Sequence, residues 1–272
     1  MRRFLAPVFV AAALLVGVFA ISEAAPESRT GAKPPPPVAP PPAPGLWRLK
    51  FADEFNGSRI DLNKWRANWL GGSHRQITKP VNHLELSCYD PAQVRESGGV
   101  ATLSVVRRRC VGNDGVTYRY RSGMIQSRRH YRFKYGYMEA RIWLPSDNAG
   151  TPINWPAFWA NGTGAWPTTG EIDVMEVLGG TDPVCWHVHY RGGELGGCPP
   201  LNPPAGWHTF GADWEAGSIT FYYDGAPVEQ LTQGVPASPM YLIANLALSR
   251  RRGGPISTPA KMHVDYVRVW QH

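Results

Sequence analysis

The sequence predicts an all-β protein, a sandwich or jelly roll of packed antiparallel sheets, and three observations support this. Short runs rich in Val, Ile, Thr, Tyr, Phe and Trp alternate with Gly, Pro, Asn and Asp from about position 46 onward. No long stretch carries the 3.6-residue apolar period of a helix. Asp224-Gly225, following Ile219-Thr220-Phe221-Tyr222-Tyr223, has the chemistry of a two-residue hairpin turn. Many strands without helices between them close into two layers, and 272 residues suit one large domain of this class.

The chain opens on Met1-Arg2-Arg3, an apolar run from Phe4 to Ile21, and small residues at Ser22, Ala24 and Ala25. This is the layout of a secretory signal peptide over residues 1–24. An uncleaved anchor is the rival, since the run is near the lower length of a membrane span; Pro7 and the Ser-Glu-Ala site favour cleavage. Residues 25–45 hold prolines at 34–37 and 40–42, which extend the chain and cannot build a core, so they form a linker. The domain then occupies residues 46–272. Its candidate strands are Val100 to Arg107, Tyr118 to Gln126, Tyr137 to Leu144, Glu171 to Val177, Trp186 to Tyr190, Thr209 to Trp214 and Met262 to Trp270.

The composition, with 11 Trp, 11 Tyr and 9 Phe, is richer in rings than core filling requires. Exposed rings that stack on the apolar faces of sugars are one explanation, and an aromatic sandwich core is the other. Lys and Arg outnumber Asp and Glu by 28 to 21. The clusters Arg107-Arg108-Arg109, Arg128-Arg129 and Arg250-Arg251-Arg252 raise the question of nucleic acid. An exported chain rarely meets that partner, and an anionic wall, an acidic polysaccharide or a solvated face accounts for the charge better. Four cysteines in an exported chain predict two disulfides. Three pairings are open; the local ones, Cys88–Cys110 and Cys185–Cys198, are preferred because each closes a short segment. Zinc is disfavoured, as no C-x₂-C pair is present.

Chemistry concentrates in Gly170-Glu171-Ile172-Asp173-Val174-Met175-Glu176. On a strand Glu171 and Asp173 share one face. Glu176, five positions from Glu171, joins them only if a β-bulge inserts a residue near Val174-Met175. Three crowded acids retain a proton more readily than isolated ones. A nucleophile and a protonated acid about 5–5.5 Å apart are what a retaining glycosidase requires. The segment from Pro145 to Gly170 reads as a long functional loop. Its Trp155, Trp159 and Trp166 are candidates to floor a sugar cleft, with a core strand at Phe158-Trp159 as the alternative. Alternation in Trp186-His187-Val188-His189-Tyr190 puts both histidines on one face, toward a cleft; hydrogen bonding to a carboxylate or sugar hydroxyl is the favoured role for either, with a plain surface position as the alternative for His187.

Seven motifs together resemble the glycoside hydrolases of family 16, in particular the laminarinase-like branch that cleaves β-1,3-glucans. They are Phe51-Ala52-Asp53-Glu54-Phe55-Asn56-Gly57, Tyr120-Arg121-Ser122-Gly123-Met124-Ile125, Tyr135-Gly136-Tyr137-Met138-Glu139-Ala140-Arg141, Trp155-Pro156-Ala157-Phe158-Trp159, the carboxylate stretch, Trp207-His208-Thr209-Phe210 and Val264-Asp265-Tyr266-Val267-Arg268-Val269. The resemblance implies a concanavalin A-like β-jelly roll with a concave substrate cleft. It implies Glu171 as nucleophile, Glu176 as acid/base, Asp173 as an assisting carboxylate and His189 beside the acid/base. It places Glu85 near a neighbouring sugar. It implies no cofactor for catalysis but a structural calcium on Asp265 and backbone oxygens near Glu54 and Gly98, hard donors suited to that ion. The expected partner is a polysaccharide, met outside the cell by a monomer with no nucleic acid and no stable membrane insertion after signal cleavage. The chain departs from the family after Asn245-Leu246-Ala247-Leu248. Where a Gly-rich turn with an aromatic is common, it has Ser249-Arg250-Arg251-Arg252-Gly253-Gly254, which suits either an anionic sugar or a basic loop.

Overall fold

The computed structural model describes residues 41–181, 183–201 and 204–272. The expected signal peptide and most of the expected linker lie outside them. Among the described residues the regular structure is β, with one short 3-10 turn at Pro91–Gln93. The smaller main sheet has six strands, in spatial order Gly193–Gly197, Val184–Tyr190, Glu171–Val177, Trp155–Gly162, Met240–Ala247 and Met124–Gln126. The larger has ten, with Gly136–Leu144 and Ala260–Gln271 at its centre and the hairpin of Ser218–Tyr223 and Ala226–Leu231 at one edge. That hairpin turns at Asp224 and Gly225, both with positive φ, as the Asp-Gly pair predicts.

Apolar alternation drives the two sheets together. In Val100–Val106 every second residue, Ala101, Leu103 and Val105, is buried. These meet Met138, Ala140, Ile142 and Leu144 from the larger sheet and Phe158, Ile172, Val188, Leu242 and Leu246 from the smaller in one core. Each fully buried aliphatic side chain there contributes about 1.5–3 kcal/mol. The opposite face of the smaller sheet carries Met124, Ala157, Trp159, Tyr241 and Ile243, which form a second cluster with Tyr89 from the larger sheet.

Three expectations change. The run Tyr118 to Gln126 is not one strand: Tyr120–Ser122 belongs to the larger sheet and Met124–Gln126 to the smaller, so the chain changes layers at Gly123. A Cβ at Gly123 would lie 2.7 Å from the Gln93 carbonyl oxygen, which explains the glycine. The segment from Pro145 to Gly170 is not all loop, because Trp155–Gly162 is a central strand. The sheets are not purely antiparallel either, as Ser87–Tyr89 pairs parallel with Tyr120–Ser122. Both local disulfides, Cys88–Cys110 and Cys185–Cys198, are formed. Ala43, inside the expected linker, is buried against Tyr137, Tyr222 and Trp270. Among the described residues no helix is long and apolar enough to cross a membrane.

Candidate active site

The bulge is present where the side-chain parity requires it. Glu171 pairs with His189 and Asp173 with His187, but Glu176 pairs with Cys185, so one extra residue enters between Asp173 and Glu176. The other neighbour agrees: Trp159 opposes Asp173, whereas Phe158 opposes Met175. Val174 and Met175 both point into the inter-sheet core. Glu171, Asp173 and Glu176 consequently line one cleft of about 520 Å³ on the exposed side of the smaller sheet.

Each acid has partners that follow from this register. Glu176 accepts a hydrogen bond from Trp155 Nε1 at 3.0 Å through Oε2, and its Oε1 lies 2.9 Å from His187 Nδ1. His189 Nε2 is 3.2 Å from Asp173 Oδ2 and 3.7 Å from Glu171 Oε1. Glu194, on the next strand, closes the row at 3.3 Å from His189 Nδ1 and 3.7 Å from His187 Nε2. Burial, then the charge of Asp173, raises the pKa of Glu171; burial and the charge of Glu176 do the same for Asp173. For His187 burial opposes the charged ring, but the hydrogen bond and charge of Glu176 outweigh it and lift its pKa above the usual imidazole value.

The histidine expectation needs correction. His189 stands by Glu171 and Asp173, and it is His187, buried and far from a plain surface position, that accompanies Glu176. Antiparallel pairing sets His189 opposite the first acid, and the bulge turns the last one toward His187.

The three tryptophans all line the cleft but differ in setting. Trp155 opens its strand and bonds Glu176; Trp159 is buried, with its Nε1 donating to Asn245 Oδ1 at 2.7 Å; Trp166 is 59% exposed, its ring 5.7 Å from that of His189. Glu85 also lines the cleft, buried, with Oε2 lacking any hydrogen-bond partner among the described residues. Burial pushes its pKa up to about 8, against bonds from Tyr89 and the backbone. Sequence reasoning missed Asn245, which links Trp159 to the Tyr89 hydroxyl, and Trp69, whose ring stacks 5.8 Å from that of Trp159. Trp69 belongs to no quoted motif, and Asn245, although it opens the Asn245-Leu246-Ala247-Leu248 stretch, shows its role only once the sheet sets it beside Trp159.

Glu171, Asp173 and His189 each offer one donor atom within 4.8 Å of the others, the only such trio among the described residues. The expected calcium residues lie apart from the cleft lining, on the larger sheet. Asp265 is the bulged residue between Val264 and Tyr266, and its Oδ2 pairs with Arg141 Nη1 at 2.7 Å. The Glu54 carboxylate is gripped by Arg268 through two bonds of 2.7 Å. Gly98, with φ of +63°, forms the turn between Val94–Ser97 and Val100–Val106.

A jelly roll whose smaller sheet carries three acids in a ring-lined cleft defines a class, that of enzymes acting on carbohydrate chains. Within it, this chain belongs to the Glycosyl hydrolases family 16, whose family profile matches residues 66–268. An endo-1,3-1,4-beta-glycanase of Rhizobium meliloti is 32% identical over 56% of this chain, and the match spans about a third (34%) of that protein's length. A beta-glucanase of Rhodothermus marinus is 29% identical over 83% of this chain and 85% of its own. Among solved structures, the endo-beta-1,3-glucanase of Pyrococcus furiosus superposes with a TM-score of 0.69 at 28% identity, covering 83% of this chain and 94% of its own.

Proposed function

We propose that the protein is an exported, retaining endo-glucanase that hydrolyses β-1,3-linked or mixed β-1,3-1,4-linked glucan. The observation that carries this reading is the bulged strand, which sets Glu171, Asp173 and Glu176 on one cleft floor between aromatic walls. The names of the Rhodothermus and Pyrococcus relatives support the choice of glucan. A carboxylate of Glu171 attacks the anomeric carbon as the glycosidic C–O bond breaks, and Glu176 gives its proton to the departing oxygen. Glu176 then takes a proton from water, whose oxygen displaces Glu171 from the sugar. Burial and the charge of Glu176 raise the pKa of Asp173, so it keeps a proton more readily beside Glu171 than a free carboxyl would. His187 shares the proton of Glu176 across their 2.9 Å contact. Trp155, Trp159, Trp166, His189 and Glu85 position the chain. No cofactor takes part.

Two disulfides and the amino-terminal layout support export, with a signal peptide at 1–24 and a linker at 25–45. Asp265 with the backbone oxygens of Glu54 and Gly98 fits calcium: strand pairing brings all three to one region, and Arg141 occupies one oxygen of Asp265. The ion would add structural crosslinking only.

The test is a screen of the protein on laminarin, lichenan, agarose and carrageenan beside Glu171→Ala. New reducing ends from laminarin or lichenan are expected, lost in the variant, with the β-anomer first in the product by NMR. An α-anomer first product would overturn retention, and no cleavage of either glucan would overturn the substrate.

A further inference from the structure

The basic stretch Arg250-Arg251-Arg252 is unused by the mechanism above, yet the fold brings it to the site. Arg252 lines the cleft together with Trp155, Glu176, Leu178 and Ala247. All three arginines are exposed, and none of them enters an ion pair among the described residues. The other ionisable side chains of the cleft lining are the acids Glu85, Glu171, Asp173, Glu176 and Glu194 and the histidines His83 and His189. Among the described residues lining the cleft Arg252 is the one permanent cation, and so the one lasting point of attraction for a polyanion.

The backbone under the arginines is built to hold them there. Ser249 Oγ accepts from the N–H groups of Arg251 at 3.1 Å and Arg252 at 3.3 Å. The fully buried Asn154 fastens the next residues with four bonds. Gly254 N donates to its carbonyl at 2.7 Å, its own N–H donates to Pro255 O at 3.1 Å, and its side chain exchanges two bonds of 2.9 Å with the Ser257 backbone. Gly253 is pressed so closely on Asn154 and Trp155 that a Cβ there would lie 2.9 Å from Trp155 Cβ. Trp155 in turn bonds Glu176. The backbone at Arg252 is thereby tied to the same wall as the acid/base, on a loop that loses little freedom on binding, while the guanidinium itself stays exposed.

We propose that Arg252 selects glucan chains bearing an anionic substituent, a carboxylate or sulfate, on a sugar near the scissile bond. This rests on the reading of the cleft as a glucan-cleaving site and adds the class of substrate. A guanidinium presents a fork of N–H donors that matches a carboxylate or sulfate edge, where a neutral hydroxyl uses only one donor.

The experiment measures kcat/KM on laminarin, on the same laminarin sparsely oxidised to C6 carboxylates, and on a sparsely sulfated preparation. It uses the wild type, Arg252→Ala and Arg252→Lys, with Tm recorded for each. The wild type is expected to favour one anionic polymer over its parent by about tenfold, the worth of one charge-assisted hydrogen-bonded pair. That ratio falls to about one in Arg252→Ala, is partly kept in Arg252→Lys, and shrinks with added salt. Which derivative is favoured identifies the anion. A wild-type ratio at or below one, or a ratio unchanged in Arg252→Ala, would overturn the proposal. If none of the three polymers is cleaved, the glucanase reading fails separately. Affinity electrophoresis of Glu171→Gln with and without Arg252→Ala in gels of each polymer then decides: retardation by an anionic polymer alone, lost with Arg252, supports selection, and equal migration refutes it.

Discussion

His187 Nδ1 lies 2.9 Å from Glu176 Oε1, and the other oxygen of that carboxylate takes the Trp155 indole N–H at 3.0 Å. The candidate acid is held from both sides. The raised pKa of His187 means that its charged form, and the stability it lends, are complete below the ordinary imidazole value and are lost as pH rises through the raised one. His187→Gln should therefore move the alkaline limb of the kcat/KM profile to lower pH and cut kcat by about 10²-fold, the lower range for disturbed acid catalysis. A pH–rate series on laminarin measures both. An unchanged alkaline limb would show that the ring plays no part in proton supply.

Glu85→Gln keeps the shape of a buried side chain and removes its charge. Because the folded pKa is up near 8 from an ordinary 4.5, the wild type's stability from this group is full below about 4.5 and is lost as pH climbs through 8. The variant should melt higher than wild type at pH 8.5 and within a degree of it at pH 4.5. Thermal scans at the two pH values suffice, and a constant difference would contradict the assignment.

Deleting Val174 removes the bulge residue, after which plain alternation again puts the last acid on the face of Glu171 and Asp173. Its cross-strand partner stays Cys185. The deletion should lower Tm through the lost core side chain, about 1.5–3 kcal/mol of burial, yet keep activity well above that of Glu176→Ala. Activity as low as in Glu176→Ala would show that the bend itself, and not the face, positions the acid.

Cys185 sits opposite Glu176 and is bonded to Cys198, closing a 13-residue separation. Replacing both by Ala should cost about 3 kcal/mol on the chain-entropy account. For a domain of this size that is a fall in Tm of about 6–12 °C. Calorimetry with and without reductant on the wild type gives the comparison.

Parity along one strand made the three acids and their bulge legible, since alternation needs no knowledge of neighbours. The strand Trp155–Gly162 was harder, being buried on both faces beyond its first residue; such a strand has no polar alternation to reveal it. His187 and His189 were seen to share a face, but which met which acid depended on cross-strand register. Glu85 lies far along the chain from the stretch that holds Asn245 and Arg252, and all three become neighbours of the acids only in the folded structure. Gly123 marked a change of layer that a run of strand-forming residues concealed.

Asn154 holds the turn after the arginines through backbone groups and one carboxamide, with no bond to the side chains at 250, 251 or 252. Those three positions are therefore open to exchange without refolding the loop. On the proposed role of Arg252, grafting the segment 249–257 together with Asn154 onto a related jelly roll is expected to carry the anionic-polymer preference with it as a unit.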